Sequence, residues 1–354
     1  MILDDLSQIK SLDKSGMLQS IEFLDEQCAE AFNDLKGVNF PADLSKMKNI
    51  VVAGMGGSAL GAHIIDSLFF SELKVPLEIV NDYHLPAYVG KESLVILSSY
   101  SGSTEEVVSC LKETVEKKCE VIVLAGGKDL VEFKEKNKLS GYVFKPHFNP
   151  CGSPRMGLGY SLFGMMLIFG KLGLIKFEEA EIKKAIKTIE KYNEVFGVAA
   201  VSATNPAKQL ATKMIGKTPF YFSSGFLAGS IHTAANQLNE NAKTFAAWFL
   251  LPETNHHLME GLVFPKELSK QLAFVFFESD LNEDRVQKRF ALTKEAAEQK
   301  GIETLSYTLQ EKTKLGQVFE MLVLGSYVSF YLAMLYGIDP TPIPVVDWFK
   351  GRMG

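Results

Sequence analysis

Short runs of consecutive apolar residues recur along the chain, and nearly every one stops at a small or polar turn. Residues 49–53 (NIVVA) end at Gly54-Met55-Gly56-Gly57-Ser58, and 94–98 break into Ser99-Tyr100-Ser101-Gly102-Ser103-Thr104. Residues 120–125 end at Gly126-Gly127, and 220–222 at Ser223-Ser224-Gly225. Continuous rather than alternating apolar runs mark strands buried on both faces. Further strands are expected at 77–80, 142–145, 272–277 and 303–309. The intervening stretches carry helical spacing: one or two helices in 1–36, then 59–70, a helix opening at Glu105, 158–197, 227–245, 284–300 and 316–336. Strand and helix alternating through short glycine-rich turns predict parallel sheets covered on both faces. The Pro/Gly-rich stretch 148–157 (FNPCGSPRMG) separates two halves that open alike, VVAGMGGSALG and FYFSSGFLAGS. The expected fold class is therefore α/β, a weak internal duplication giving two doubly wound parallel-sheet subdomains with flanking helices. The expected division is a helical segment 1–36, a first subdomain 37–150, a loop and helices 151–200, and a second subdomain 201–354 with a C-terminal helix.

Composition narrows the class. A length of 354 residues suits two domains, and 47% hydrophobic with 22% charged residues suffices for a sizeable core. A net charge of −5 with scattered lysines argues against a nucleic-acid partner. Cys28, Cys110, Cys119 and Cys151 form no Cys-x-x-Cys pair and have no histidine at metal spacing, which predicts reduced thiols in a cytoplasmic protein. The first residues, MILDDLSQIKSLDK, lack a basic region followed by an apolar run, so no signal peptide is expected. Residues 316–335 are long and apolar but interrupted by Glu320, Gly325 and Ser326, which predicts a buried helix rather than a membrane span.

Candidate chemistry begins at the turn after strand 94–98. Ser98, Ser99, Ser101, Ser103 and Thr104 put five hydroxyls in seven residues before a helix start. The first-turn amides of a helix lack intrahelical partners and carry the positive end of its dipole, so such a loop suits a phosphate. A plain N-cap would need one hydroxyl. Gly54-x-Gly56-x-x-Ala59 alone fits a dinucleotide turn, with Glu78 or Asp82 about twenty residues on. Its Gly57-Ser58 end adds a hydroxyl, however. Ser58, Ser99, Ser101 and Thr104 converging from adjacent strand ends would close on a compact monophosphate. Arg155, in the stretch between the halves, is a candidate for holding substrate or a developing oxyanion, against the default of a surface arginine. Glu240 lies in a polar segment, 236–243, between apolar ones, and is a candidate general base. His256 and His257 have no third ligand at useful spacing, so a metal is not expected. Lys350 by default is a solvated terminal lysine.

These motifs, in this order, resemble those of the bifunctional phosphoglucose/phosphomannose isomerases, members of the sugar-isomerase (SIS) superfamily. Gly54-Met55-Gly56-Gly57-Ser58 and the 99–106 loop are similar to the family's phosphate-side motifs. Pro154-Arg155, Asn239-Glu240-Asn241-Ala242-Lys243, Leu251-Pro252-Glu253-x-Asn255-His256, Gly337-Ile338-Asp339-Pro340-Thr341-Pro342 and the closing Phe349-Lys350 continue the match. The resemblance implies two SIS subdomains and aldose–ketose isomerisation of a hexose 6-phosphate without metal or organic cofactor. It also implies that Gly57, Ser58, Ser99, Ser101 and Thr104 hold the phosphate. Glu240 would shuttle the proton between C1 and C2, Arg155 would stabilise the enediolate, and His256 and Lys350 would assist ring opening. Thr341 falls in the region linked to accepting the mannose epimer. In the family the histidine reaches the site from the partner subunit, implying a homodimer. The chain departs at Asn255-His256-His257-Leu258, where the family reads Asn-His-Asn-Glu, so either histidine is a candidate. Two rival readings stand beside this one: a sugar-phosphate-binding regulator without catalysis, and a nicotinamide-dependent oxidoreductase.

Overall fold

The computed structural model describes residues 2–40 and 44–353. They form two compact units, Phe23–Lys187 and Met1–Glu22 with Thr188–Gly354.

In the first, strands β1 (Asn49–Ala53), β2 (Leu77–Val80), β3 (Ser93–Ser99), β4 (Glu120–Ala125) and β5 (Ser140–Val143) make one sheet. Its order is β2-β1-β3-β4-β5, and every pairing is parallel. β3 is central and buried along its whole length, as its unbroken apolar run requires. Val51, Val95, Leu97 and Val123 pack beneath Val107 and Leu130 of the helices Glu105–Lys117 and Lys128–Asn137. The helix Gly57–Leu68 comes close to the π-helical turn Gly159–Phe163, where a Cβ on Gly61 would stand 2.8 Å from Leu162 Cα. Buried Gln27 ties the 148–159 segment to the helix Leu24–Leu35. Its Nε2 donates to the Phe148 and Met156 carbonyls, both at 3.0 Å, and its Oε1 accepts from Gly159 N–H at 3.1 Å.

In the second unit, β6 (Thr218–Ser224), β7 (Ala247–Leu251), β8 (Leu272–Glu278) and β9 (Glu303–Thr308) pair in the order β7-β6-β8-β9, again all parallel. This is the order β2-β1-β3-β4 repeated. Against the helices Pro206–Lys213 and Ala228–Asn241 lies the helix Lys314–Leu335, long and apolar enough to cross a bilayer, with 94% of its most apolar window buried inside the protein. Its polar interruptions Glu320 and Ser326 are both hydrogen-bonded, Ser326 Oγ donating to the Leu322 carbonyl at 2.9 Å. Glu320 accepts from Gln310 N–H and Glu311 N–H at 2.9 Å and from Tyr307 Oη–H at 2.8 Å, while burial raises its pKa.

Several elements differ from the sequence reading. The stretch 1–36 is shared between the units, parting after Glu22, and 151–200 is likewise divided at Lys187. The expected helix 158–197 is three pieces: the π turn, Gly164–Lys171 and Glu179–Phe196. A helix Pro206–Lys213 is absent from the expected elements although Asn205 caps it, accepting from Ala207 and Lys208 N–H at 3.0 and 3.1 Å. The expected helix 227–245 stops at Asn241, and the apolar run after it is strand β7.

Candidate active site

In the first unit the site is built where β1 and β3 end side by side. Helices leave in opposite senses on either side of such a pair, and the crevice there is the usual ligand position of an open α/β sheet. The β1 turn reaches its helix through Gly56, at φ +47°, and Gly57, where a Cβ would stand 2.8 Å from Arg155 N and Pro154 C. Only glycine admits the 154–155 backbone so close. Ser58 then fastens the two strand ends: its Oγ accepts from Tyr100 N–H at 2.8 Å, and its carbonyl accepts from Ser98 Oγ at 2.8 Å.

The 99–104 loop curls around its own hydroxyls. Ser99 Oγ lies 2.7 Å from Thr104 Oγ1 and 3.5 Å from Ser101 Oγ, and accepts from Gly102 N–H at 3.0 Å. Thr104 is the N-cap residue of the helix Glu105–Lys117, yet its side chain makes no capping bond. The hydroxyls are thus gathered into the loop rather than used on the helix's first amides, contrary to the plain-cap reading. Those amides keep their capacity for an anion.

Arg155 is 2% exposed, which overturns the surface-arginine default. It sits on the short turn Pro154–Met156, held from below by Gln27 through Met156. Tyr100, unremarked in the sequence, packs so tightly that a Cβ on Gly157 would stand 2.4 Å from its ring. Its hydroxyl accepts from Asn149 Nδ2 at 2.7 Å, and burial pushes its pKa up to about 12, so it stays a neutral spacer. Its only sequence signal was an aromatic amid small hydroxyl residues. Gly57, Ser58, Ser99, Ser101, Thr104 and Arg155 are therefore brought to one end of one sheet.

In the second unit, half-buried Glu240 sits in the last turn of the helix Ala228–Asn241. Lys243, at φ +51°, turns its ammonium back over that helix end. Its Nζ donates to the carbonyls of Glu240 (2.9 Å), Asn241 (3.2 Å), Pro340 (2.9 Å) and Asp339 (3.3 Å). A cation at a helix C-terminus is favoured by the dipole. Here it also ties the carbonyls of Asp339 and Pro340, next to Thr341 in the chain, to the end of that helix. Neighbouring Asn239 fixes the start of β7, accepting from Ala246 N–H at 3.1 Å and donating to its carbonyl at 2.9 Å.

Exposed His256 ends the 3-10 turn Glu253–His256, its side chain without a partner among the described residues. His257 is engaged by Glu253, Nε2 to Oε2 at 2.8 Å. Both histidines are exposed, and the two differ in that His257 is paired with Glu253. Lys350 lies on the helix Pro344–Met353, exposed and likewise without a partner among the described residues. Lys243 joins the helix end that carries Glu240 to the carbonyls just before Thr341.

A duplicated parallel sheet with a hydroxyl-lined loop at its first strand pair defines a sugar-isomerase-domain protein. Residues 43–131 match the SIS domain, and 203–353 match the bacterial phospho-glucose isomerase C-terminal SIS domain. The chain is 30% identical to the bifunctional phosphoglucose/phosphomannose isomerase of Caldicellulosiruptor bescii, over 95% of this chain and 98% of that one. It is 27% identical to the protein of the same name from Aquifex aeolicus, over 91% and 95%. Its fold is shared with a glucose-6-phosphate isomerase-like protein from Thermus thermophilus, at a TM-score of 0.62, 17% identity and coverage of 97% and 99%. The chain belongs to the bifunctional phosphoglucose/phosphomannose isomerase family. It is a sugar-phosphate isomerase, an intramolecular oxidoreductase.

Proposed function

We propose that the protein interconverts glucose 6-phosphate, and mannose 6-phosphate, with fructose 6-phosphate through an enediol. The observation that carries this reading is the 99–104 loop: hydroxyls drawn together over a helix start whose N-cap side chain leaves the first amides uncapped. A phosphate bound there anchors the substrate while chemistry proceeds at the far end of the sugar. The Glu240 carboxylate takes the proton from C2 of the open-chain aldose, and the electron pair forms the C1–C2 double bond as charge moves to O1. The same carboxyl returns its proton to C1, while the O2 proton passes to the O1 anion, so that O1 becomes a hydroxyl and O2 the ketose carbonyl. Arg155 offsets the enediolate charge. His256 and Lys350 exchange protons with the ring and C1 oxygens during ring opening. No electrons leave the sugar, so the reaction asks for no redox cofactor. The working form is a cytoplasmic homodimer in which the 251–258 loop completes the partner's site.

The test is a coupled assay with each aldose phosphate, run on wild type and Glu240→Gln. The variant keeps the shape of the side chain but cannot accept the proton, and should lose roughly 10²–10⁴-fold in kcat. Sugar-phosphate affinity should change little. In deuterated water, wild type should place deuterium at C2 of recovered aldose and the variant should not. Wild-type turnover by Glu240→Gln would move the base elsewhere. A wild type that binds sugar phosphate without isomerising it would be a regulator.

A further inference from the structure

His256 is exposed, but the turn that carries it is anchored from a helix distant in sequence. Thr254 is buried and donates through Oγ1 to the Leu250 carbonyl at 2.6 Å, fixing the turn to β7. Asn255 is gripped at both ends of its amide. Arg289 Nη1 donates to its Oδ1 at 3.2 Å, and its Nδ2 donates to Thr293 Oγ1 at 2.8 Å. Arg289 and Thr293 stand four residues apart on the helix Asp284–Gln299, so they share one face. The Thr293 hydroxyl donates to the Arg289 carbonyl at 2.7 Å, which leaves its lone pairs turned to Asn255. Arg289 has no carboxylate partner among the described residues, and its charge is directed at a single amide oxygen. On the other side, Glu253 holds His257.

We propose that Arg289 and Thr293 are positioning residues for His256: by clamping Asn255 they hold the 253–256 turn so that the histidine ring is presented in one orientation. The kinetic side of this proposal rests on the isomerase reading. A ring that must meet a sugar oxygen at hydrogen-bonding distance cannot ride on a loose turn, since a displacement of about 1 Å can cost on the order of 10²-fold in rate. Arg289 and Thr293 would touch no substrate themselves.

The experiment is a double-mutant cycle of Arg289→Ala with His256→Ala, with Thr293→Val as an independent break in the same clamp. Thermal melts would verify that each variant is folded. Arg289→Ala should lower kcat for glucose 6-phosphate roughly 10- to 100-fold with little change in KM. In the His256→Ala background the same substitution should cost nothing more. An equal loss in both backgrounds overturns the proposal, as does unchanged kcat in both Arg289→Ala and Thr293→Val. Carbon-13 histidine NMR reads the clamp without any turnover. The His256 Cε1–H signal, identified by His256→Gln, should shift or sharpen in Arg289→Ala, and an unmoved signal overturns the proposal. Loss of isomerase activity in the wild type itself would defeat the functional reading instead, with the NMR result still deciding the clamp.

Discussion

At the scale of single residues, the site depends on where side chains are absent as much as on where hydroxyls stand. Gly102 has φ +75°, and a Cβ on it would fall 1.6 Å from the Gly127 carbonyl oxygen. No rotamer relieves that clash, because the atom met is backbone. Gly102→Ala should therefore push the 99–104 loop off the 126–130 turn, which Gly102 joins through its carbonyl's bond from Leu130 N–H at 3.0 Å. The expected result is a loss of roughly 1–3 kcal/mol in stability together with sharply weakened phosphate affinity, read by thermal melts and calorimetry. A variant with wild-type melting and phosphate binding would contradict this account of the loop. The serines and the glycine were visible in the sequence because a cluster of hydroxyls before a helix is unusual. Tyr100 was not, since its role is to fill space under Gly157 and beside Asn149, and that space exists only in the folded unit.

At the scale of elements, Lys243 decides where one helix ends and what lies beside it. Four carbonyls from two chain segments converge on its ammonium. Lys243→Met keeps much of the aliphatic stem and removes the donors. It should release the 339–341 turn from the end of the helix Ala228–Asn241 and cost roughly 1–3 kcal/mol, the value of hydrogen bonds to a charged group. With Glu240 as the proposed base in the turn that loses its cap, kcat should fall while phosphate affinity is kept. Equal losses in kcat and phosphate affinity would mean that Lys243 acts on the fold in general. The same segment shows how periodicity can overrun an element. Helical spacing extends through 227–245, and nothing local between Ala242 and Phe245 marks a stop except a lysine, whose left-handed backbone is stabilised by partners almost a hundred residues away.

At the scale of the whole molecule, the helix Pro344–Met353 buries none of its residues, and Val345, Trp348 and Phe349 are 75%, 64% and 56% exposed. Phe245 and Phe264 are exposed as well. Apolar surface of this kind is typical of surfaces that meet another protein. Light scattering should give twice the mass of one chain, and dilution to nanomolar concentration should lower specific activity if the 251–258 loop completes a partner's site. A monomer fully active under those conditions would exclude the shared site. What the sequence by itself determined was the α/β class, the repeat, and the order of the hydroxyl-loop, carboxylate and histidine segments. All of these are written in local periodicity and in residue types at short spacing. Only the tertiary structure decided that Arg155 is buried against Gly57, that Lys243 joins the carbonyls of Asp339 and Pro340 to the helix end at Glu240, and that His257 pairs with Glu253. Each of those outcomes depends on which distant carbonyl, amide or carboxylate comes within about 3 Å, a distance set by packing and not by spacing along the chain.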